Sequence, residues 1–487
     1  MRRRTTLNVT LALTLLAALI NSSATTHSQI ADDATARIVG EIMARGQQLR
    51  YLSMLADEIG SRLTGTANAR RAEEATEAEM RRIGLSNVRR EPYTMRASWE
   101  RGTASASLVS PNGERRLTVA SYTWTPGTNG AVEGDVVVVG EGRTADIDQA
   151  RARLKGAVAL VTFEGATLDA LIDSFYRTPQ IVRDLKAAGA VAALITADKQ
   201  NTLLYTAPIE FNGNVAALAS VSVAREDSLL LRRLVAEGRR ARVRLDVRNK
   251  LGPAFEATNV VGEIAGRDLA SEIVVVGAHL DSNDLGPGAL DNGAGSAAVL
   301  ETARALKSLG LRPRRTIRFV LFTGEEEGML GSTAYVKRHR DEMDRTVAAL
   351  VMDIGAGRPL GWFSMGRPDL DAQINALMQP LAQFGASAID HSAFAATDNA
   401  AFMAEGVPNL VMIQDDAPYL PVHHTAADTF DKADPRDFAS CVAVLAASAY
   451  AIADAPARFG RRLTPDEVKK MAADTKVDAQ WRAAGIW

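Results

Sequence analysis

The sequence predicts an α/β fold, a mixed and mainly parallel sheet flanked by helices and interrupted by a β-rich insertion. Three observations point to it. After Pro253, short apolar runs alternate with helical stretches. The run EIVVVGAH, Glu272 to His279, is apolar almost throughout, as a parallel strand covered on both faces must be. From about Trp99 to Lys250 the texture changes to short β-rich runs separated by glycine and charged turns.

Residues 34–90 read mostly as helix, because ARRAEEATEAEMRRIG is rich in helix formers and Gly84 supplies a natural stop. Before it, IGSRLTGT (Ile59 to Thr66) reads as a polar loop. In the insertion, DVVVVGEG, GAVALVTF and ALASVSV are strands, and TPQIVRDLKAAGA is a helix leading into VAALIT. This predicts a small β-rich module with a helix or two. Beyond Pro253, SAAVLETARALKSLG is a helix with Val299, Ala303 and Leu306 on one stripe. RTIRFVLFTG, VAALVMD and PNLVMIQ are further buried strands, and a closing helix opens with Asp434 as N-cap and Pro435 at its first position. The charged tail 457–487 carries one helix starting at Thr464-Pro465, and Trp481 and Trp487 predict that it docks.

Arg2 to Arg4, the apolar stretch Leu7 to Ile20 and the small residues Ser22-Ser23-Ala24 read as an export signal over 1–24, with an uncleaved anchor as the alternative. Its removal would take the net charge from −2 to −5 by the loss of three arginines. With 56 basic against 58 acidic residues and no basic block, nothing suggests nucleic acid or a charged partner. The single cysteine, Cys441, excludes an intrachain disulfide and sits in an apolar run as a buried small hydrophobe. The compartment expected is periplasmic or secreted, with no membrane contact after signal removal.

Ligands of open α/β sheets gather at the carboxyl ends of the strands. There this chain places His279 and Asp281, then Glu325-Glu326-Glu327, then Asp353, then Asp415-Asp416 and His423-His424. Such a mixture of His, Asp and Glu without cysteine suits zinc or a similar borderline ion. The donors exceed what one zinc needs and match a two-metal site bridged by a shared carboxylate. No G-x-S-x-G, GxxxxGK[ST] or GxGxxG competes with that reading.

The segments GAHLDS…GALDNGAGSAAVLE, FTGEEEGMLGSTAY, VMD and HHTAADT resemble the di-zinc aminopeptidase and glutamate carboxypeptidase family of peptidase clan MH. LGLRPRRTIRFVLFTGEEEG with HHTAADTFDKADP is most similar to its plasma glutamate carboxypeptidase branch. The similarity runs from Ala34 to Asp454. It implies a zinc-exopeptidase-type catalytic domain, discontinuous over 31–98 and 251–456, and an inserted protease-associated domain over 99–250 that caps the rim or forms a homodimer. The resemblance makes Asp291 the bridge between two Zn2+ ions, with His279 and Asp353 completing one site and Glu326 and His424 the other. It makes Glu325 the general base and Asp281 the carboxylate that orients His279. His423 is the alternative to His424. Asp284 is expected to face water, Glu327 to be a surface or helix-start acid, and His339 and His391 to be surface histidines. Gly286, Gly288, Gly293 and Gly295 are expected to bring Asp291 to the metals by sharp turns. Asn399 departs from a histidine common in the family, which puts substrate contacts in doubt.

The implied activity is hydrolysis of dipeptides or short peptides, as carboxypeptidase, dipeptidase or aminopeptidase. A receptor-like binding protein of the same fold and a zinc aminoacyl cyclase are the competing readings.

Overall fold

The computed structural model describes residues 33–111, 113–163 and 167–487; the expected signal segment 1–24 lies outside them. Two eight-stranded sheets organise the chain. The first contains β1 (Ser86–Met95), β2 (Phe255–Ile264), β3 (Leu269–His279), β4 (Arg315–Phe322), β5 (Thr346–Val351), β6 (Pro359–Phe363), β7 (Ala388–Asp390) and β8 (Asn409–Gln414). Their order is β1-β2-β4-β3-β5-β8-β6-β7. The central four, β4-β3-β5-β8, are mutually parallel, while β1, β2 and β6 pair antiparallel with their inner neighbours. This is the mixed, mainly parallel sheet the sequence predicts.

Every residue of β4 and β5 is buried, Arg315, Thr316 and Arg318 of β4 included, which explains the apolar stretches FVLF and VAALV. The helix Ala294–Ser308 covers one face, and Pro435–Asp454 packs beside it. Asp434 caps the latter by accepting from the Arg436 and Asp437 amides at 2.9 Å, with Pro435 in the first turn. Cys441 is buried on this helix and its thiol donates to the Gly357 carbonyl at 2.8 Å. Thr464 caps the tail helix Pro465–Thr475 through a capping box with Glu467, and a second helix, Val477–Ala484, follows. Trp481 is fully buried in the main core, so the tail docks there.

The second sheet is built from residues 104–247, with four central strands, Val132–Val138, Val158–Val161, Ala192–Thr196 and Ser220–Val223, mutually parallel. Three helices, Thr144–Leu154, Leu168–Ala187 and Arg225–Ala236, belong to it. It is therefore more α/β than the β-rich module expected. The physical reason lies in VALV and AALIT, which are apolar on both faces and need helices on each side. The segment leaves and re-enters the first sheet at one place: Met95 of β1 pairs with Phe255 of β2, and Ser98–Glu100 pairs with Lys250–Gly252 just beyond.

Candidate functional site

The parallel strands β3, β4, β5 and β8 all end on one edge, so His279, Glu325, Glu326 and Asp353 emerge side by side. His279 Nε2 lies 3.0 Å from Asp353 Oδ1 and 3.2 Å from Asp291 Oδ1. On the other side of the same carboxylate, Asp291 Oδ2 is 3.2 Å from Nε2 of both His423 and His424. His424 Nε2 is also 2.9 Å from Glu326 Oε2. Asp291 thus divides its two oxygens between two clusters, His279 with Asp353 and the histidine pair with Glu326. Glu325 stands apart from both, its Oε2 4.0 Å from His279 Nε2.

The donor set fits metal ions on direct grounds. Asp291 Oδ2 and both Glu326 oxygens are buried, yet none has a partner aligned for a hydrogen bond. Buried acceptors without donors are costly, and lone pairs that converge in this way suit cations. Burial pushes Glu325 well above the usual carboxylate range, with Asp353, Asp398 and Glu326 adding to the rise against His279. Burial also raises Glu326 and Asp353. Asp291 goes the other way: burial opposes its charge, but His279, His423 and His424 hold it well below the ordinary value. His424 resists its own desolvation through Glu326 and Asp291 and rises to about 10. Burial and the neighbouring His424 depress His423 to about 3. Both histidines approach Asp291, but only His424 also reaches Glu326.

The loop between His279 and Asp291 is fixed by close approach. A side chain at Gly286 would lie 2.3 Å from the Thr425 carbonyl, and Gly288, at φ 60°, would meet Ser282 at 2.3 Å. Asp428 pins the far end, accepting from the Leu290 and Asp291 amides at 2.7 and 3.0 Å. Arg62 fills the middle. Fully buried, it donates to the carbonyls of Leu280, Leu55, Gly60, Pro287 and Gly288 at 2.6–3.2 Å. Desolvation lowers its guanidinium to about 10, against the pull of Asp428, Asp281 and Asp291. IGSRLTGT, expected as a polar loop, therefore runs through the interior beneath the site. Its Thr64 hydroxyl donates to Asp281 Oδ2 at 3.0 Å and accepts from the Gly324 amide at 2.9 Å.

Three expectations need correction, and the expected contact of Asp281 with the His279 ring is shared between its carboxylate and its backbone. His279 Nδ1 is closer to the Asp281 carbonyl oxygen, 3.0 Å, than to its carboxylate, 3.5 Å, so the backbone is the nearer acceptor for the ring. The carboxylate also accepts from the Glu326 amide at 3.2 Å. Glu327 is no surface acid: it is buried beside Asp281 and Glu326, and burial with their charges pushes its carboxyl well up. Asp284 does not face water but forms a two-pronged pair with Arg101, at 2.6 and 2.5 Å, from the inserted segment. His339 is held between Glu91 and Glu342, each at 3.0 Å, and packs on Tyr335. His391 is exposed and pairs with Asp371, as expected for a surface histidine. Asn399 is buried and donates to Asn409. Beside it, burial lifts Asp398 to about 8.

The insertion also supplies residues that sequence reasoning missed. Tyr205 stacks on His424, with ring centroids 5.3 Å apart. Thr206 donates its amide to the His424 carbonyl at 3.3 Å, and its hydroxyl and carbonyl engage Asn283 at 2.9 and 2.7 Å. Ile172 and Phe175 reach the same pocket. No local signal marks them, because their partners lie 70 or more residues away; only Asp428, inside HHTAADT, stood within a recognisable motif.

A parallel-sheet edge that gathers these histidines and carboxylates around one shared aspartate defines a metallopeptidase. The chain belongs to peptidase family M28, whose family model matches residues 259–449. It is 30% identical over 416 residues to carboxypeptidase Q of Xenopus laevis, covering 84% of this chain and 87% of that protein. Among solved structures it is similar to a peptidase M28 precursor from Shewanella amazonensis SB2B, at TM-score 0.82 and 26% identity, over 90% of this chain and 99% of that one. It shares its fold with BSAP, a zinc aminopeptidase from Bacillus subtilis, at TM-score 0.65 and 22% identity, over 86% and 97% of the two chains.

Proposed function

We propose that this M28 peptidase is an exported di-zinc exopeptidase acting on dipeptides or short peptides. One observation carries the reading: Asp291 presents one oxygen to His279 and the other to His424, with Asp353 and Glu326 completing the two clusters. His279, Asp353 and Asp291 would hold one ion, and Glu326, His424 and Asp291 the other, His423 being the alternative imidazole.

When bound, a pair of zinc ions supplies Lewis-acid polarisation of the scissile carbonyl and a water acidic enough to give up a proton near neutral pH. Glu325, buried and 4.0 Å from His279, is the base that takes that proton. The new C–O bond forms as the proton is taken, and the Glu325 carboxyl then passes the proton to the leaving amine nitrogen, so the peptide C–N bond breaks. Asp281 stiffens the floor of the site by binding Thr64 and the Glu326 amide. Phe175, Tyr205 and Tyr419 wall the pocket and exclude water.

Under this reading 31–98 and 251–456 form the catalytic domain, 99–250 is an inserted protease-associated domain, and 1–24 directs export to the periplasm or the exterior. The name of the carboxypeptidase Q relative favours a carboxypeptidase over an aminopeptidase. A panel of free dipeptides, N-blocked peptides and aminoacyl anilides, assayed with and without a chelator beside a zinc analysis, tests it. Chelator-sensitive release of free amino acids supports the proposal. Protein that binds no zinc and cleaves none of the panel refutes it and favours a binding role, while cyclisation of N-terminal glutamine alone would make it a cyclase.

A further inference from the structure

The pocket at the metal-ligating cluster has free space of only about 80 Å³. That is a few water molecules' worth, below the roughly 300 Å³ at which ligand pockets usually begin. It can hold the atoms around a scissile bond but not the rest of a peptide. Directly beside it lies a cleft of about 490 Å³, and the two share Phe175 and Tyr205 as walls. The turn from Tyr419 to His423 separates them: Tyr419 and His423 face the small pocket, and Leu420 to Val422 face the cleft.

Among the described residues lining that cleft, Lys199 is the single cation. Its side chain is 8% exposed. An ammonium has three donors. Two are engaged, by the Leu420 carbonyl at 2.7 Å and by Asp198 at 3.1 Å, and the third is available. Asp198 is the more exposed partner and does not wall the ammonium off. Lys199 Nζ lies 5.8 Å from the Tyr205 ring centre, and that ring lies 5.3 Å from His424. Lys199 is therefore at most about 11 Å from the imidazole, the reach of about three extended residues.

We infer that this cleft receives the C-terminal end of a short peptide, and that Lys199 binds its free α-carboxylate. The inference rests on the metallopeptidase reading and makes its substrate class specific. The preferred substrates are short peptides with a free C-terminus, with one to three residues between the scissile bond and that carboxylate. An aminopeptidase indifferent to the C-terminus is the reading it opposes.

The test uses the zinc-loaded full chain and matched tripeptides ending in a free acid or an amide. Amidation should raise KM about 10- to 100-fold with kcat little changed, the worth of a hydrogen bond to a charged group. Lys199→Met should abolish the preference, and Lys199→Arg should keep part of it. Calorimetric binding of the acid and amide forms to metal-free protein should show the same ranking without any turnover. Equal KM for acid and amide in the unaltered protein overturns the inference, as does a Lys199→Met variant that keeps the full preference. Should Lys199→Met not fold, Leu203→Trp narrows the cleft from its rim and should raise KM for the free acids at unchanged zinc content; an unchanged KM again overturns it. Efficient cleavage of acids and amides alike defeats this inference alone, whereas no cleavage and no bound zinc defeats the metallopeptidase reading beneath it.

Discussion

Replacing Arg62 by lysine should unsettle the site without touching any of its donor atoms. Arg62 serves five backbone carbonyls from full burial, three of them in the loop that carries His279 towards Asp291. A lysine ammonium has three protons to offer, so at least two of those carbonyls lose their donor. Each stranded buried acceptor costs about 1–3 kcal/mol, which puts the loss at about 2–6 kcal/mol. For a unit of this size about 1 kcal/mol moves the midpoint by roughly 1–2 °C. Calorimetric scans at one fixed rate should therefore show the metal-free variant melting at least about 2 °C lower. Because the loop also sets the position of Asp291, zinc affinity measured by chelator competition should fall with it. A variant with unchanged melting and unchanged zinc affinity would refute the account of Arg62 as the scaffold of this loop.

Glu325→Gln should retain zinc by elemental analysis while turnover falls about 10²- to 10⁴-fold, and near-normal turnover would remove Glu325 as the base. Dialysis against a chelator should abolish hydrolysis and lower the melting temperature, with both restored by zinc, since an ion held only by the folded state stabilises it. Zinc uptake should strengthen between pH 6 and 9. The charge on His424 favours the metal-free fold fully below pH 6.5 and ceases to do so as pH rises through about 10, so a metal must displace that proton. Calorimetry in buffers of different ionisation enthalpy reads the release, and a pH-independent affinity would contradict it. Asp284→Ala should cost about 1–3 kcal/mol by stranding the partly buried Arg101. Amide exchange over residues 281–288 should rise with it, and unchanged protection there would show that the pair holds nothing in place.

The four central strands of the sheet were legible because they are apolar on both faces and lead into polar or charged residues. By contrast β1, polar and largely exposed, lay partly in a stretch that reads as helix. EIVVVGAH and FVLFTG announce where the chain dives and surfaces. The convergence of His279, Asp291, Glu326, Asp353 and His424 follows once those strands are parallel. What stayed hidden depends on partners distant in sequence. Three successive glutamates look alike in a sequence, yet Glu325 faces the pocket, Glu326 meets His424 and Glu327 turns into the interior beside Asp281. Asp284 looked like a solvated turn because Arg101 lies 183 positions away. Arg62 looked like a loop residue because five carbonyls carry no sequence signature.

The antiparallel stem at which the inserted segment departs has a consequence for how the chain assembles. Met95 faces Phe255 across one rung, so the whole of 96–254 is a loop whose ends are already side by side. Closing a loop of that length costs only about 4.5 kcal/mol by the logarithmic length term, and one edge pairing with its neighbours can meet that early. The first sheet can therefore form around the stem whether or not the loop has folded. Tyr205 and Thr206, which touch His424, belong to that loop, so a cell holding half-folded chains would hold chains with a complete sheet but an unfinished active site. A chain whose first sheet has closed before 96–254 has folded would still lack Tyr205 and Thr206 against His424.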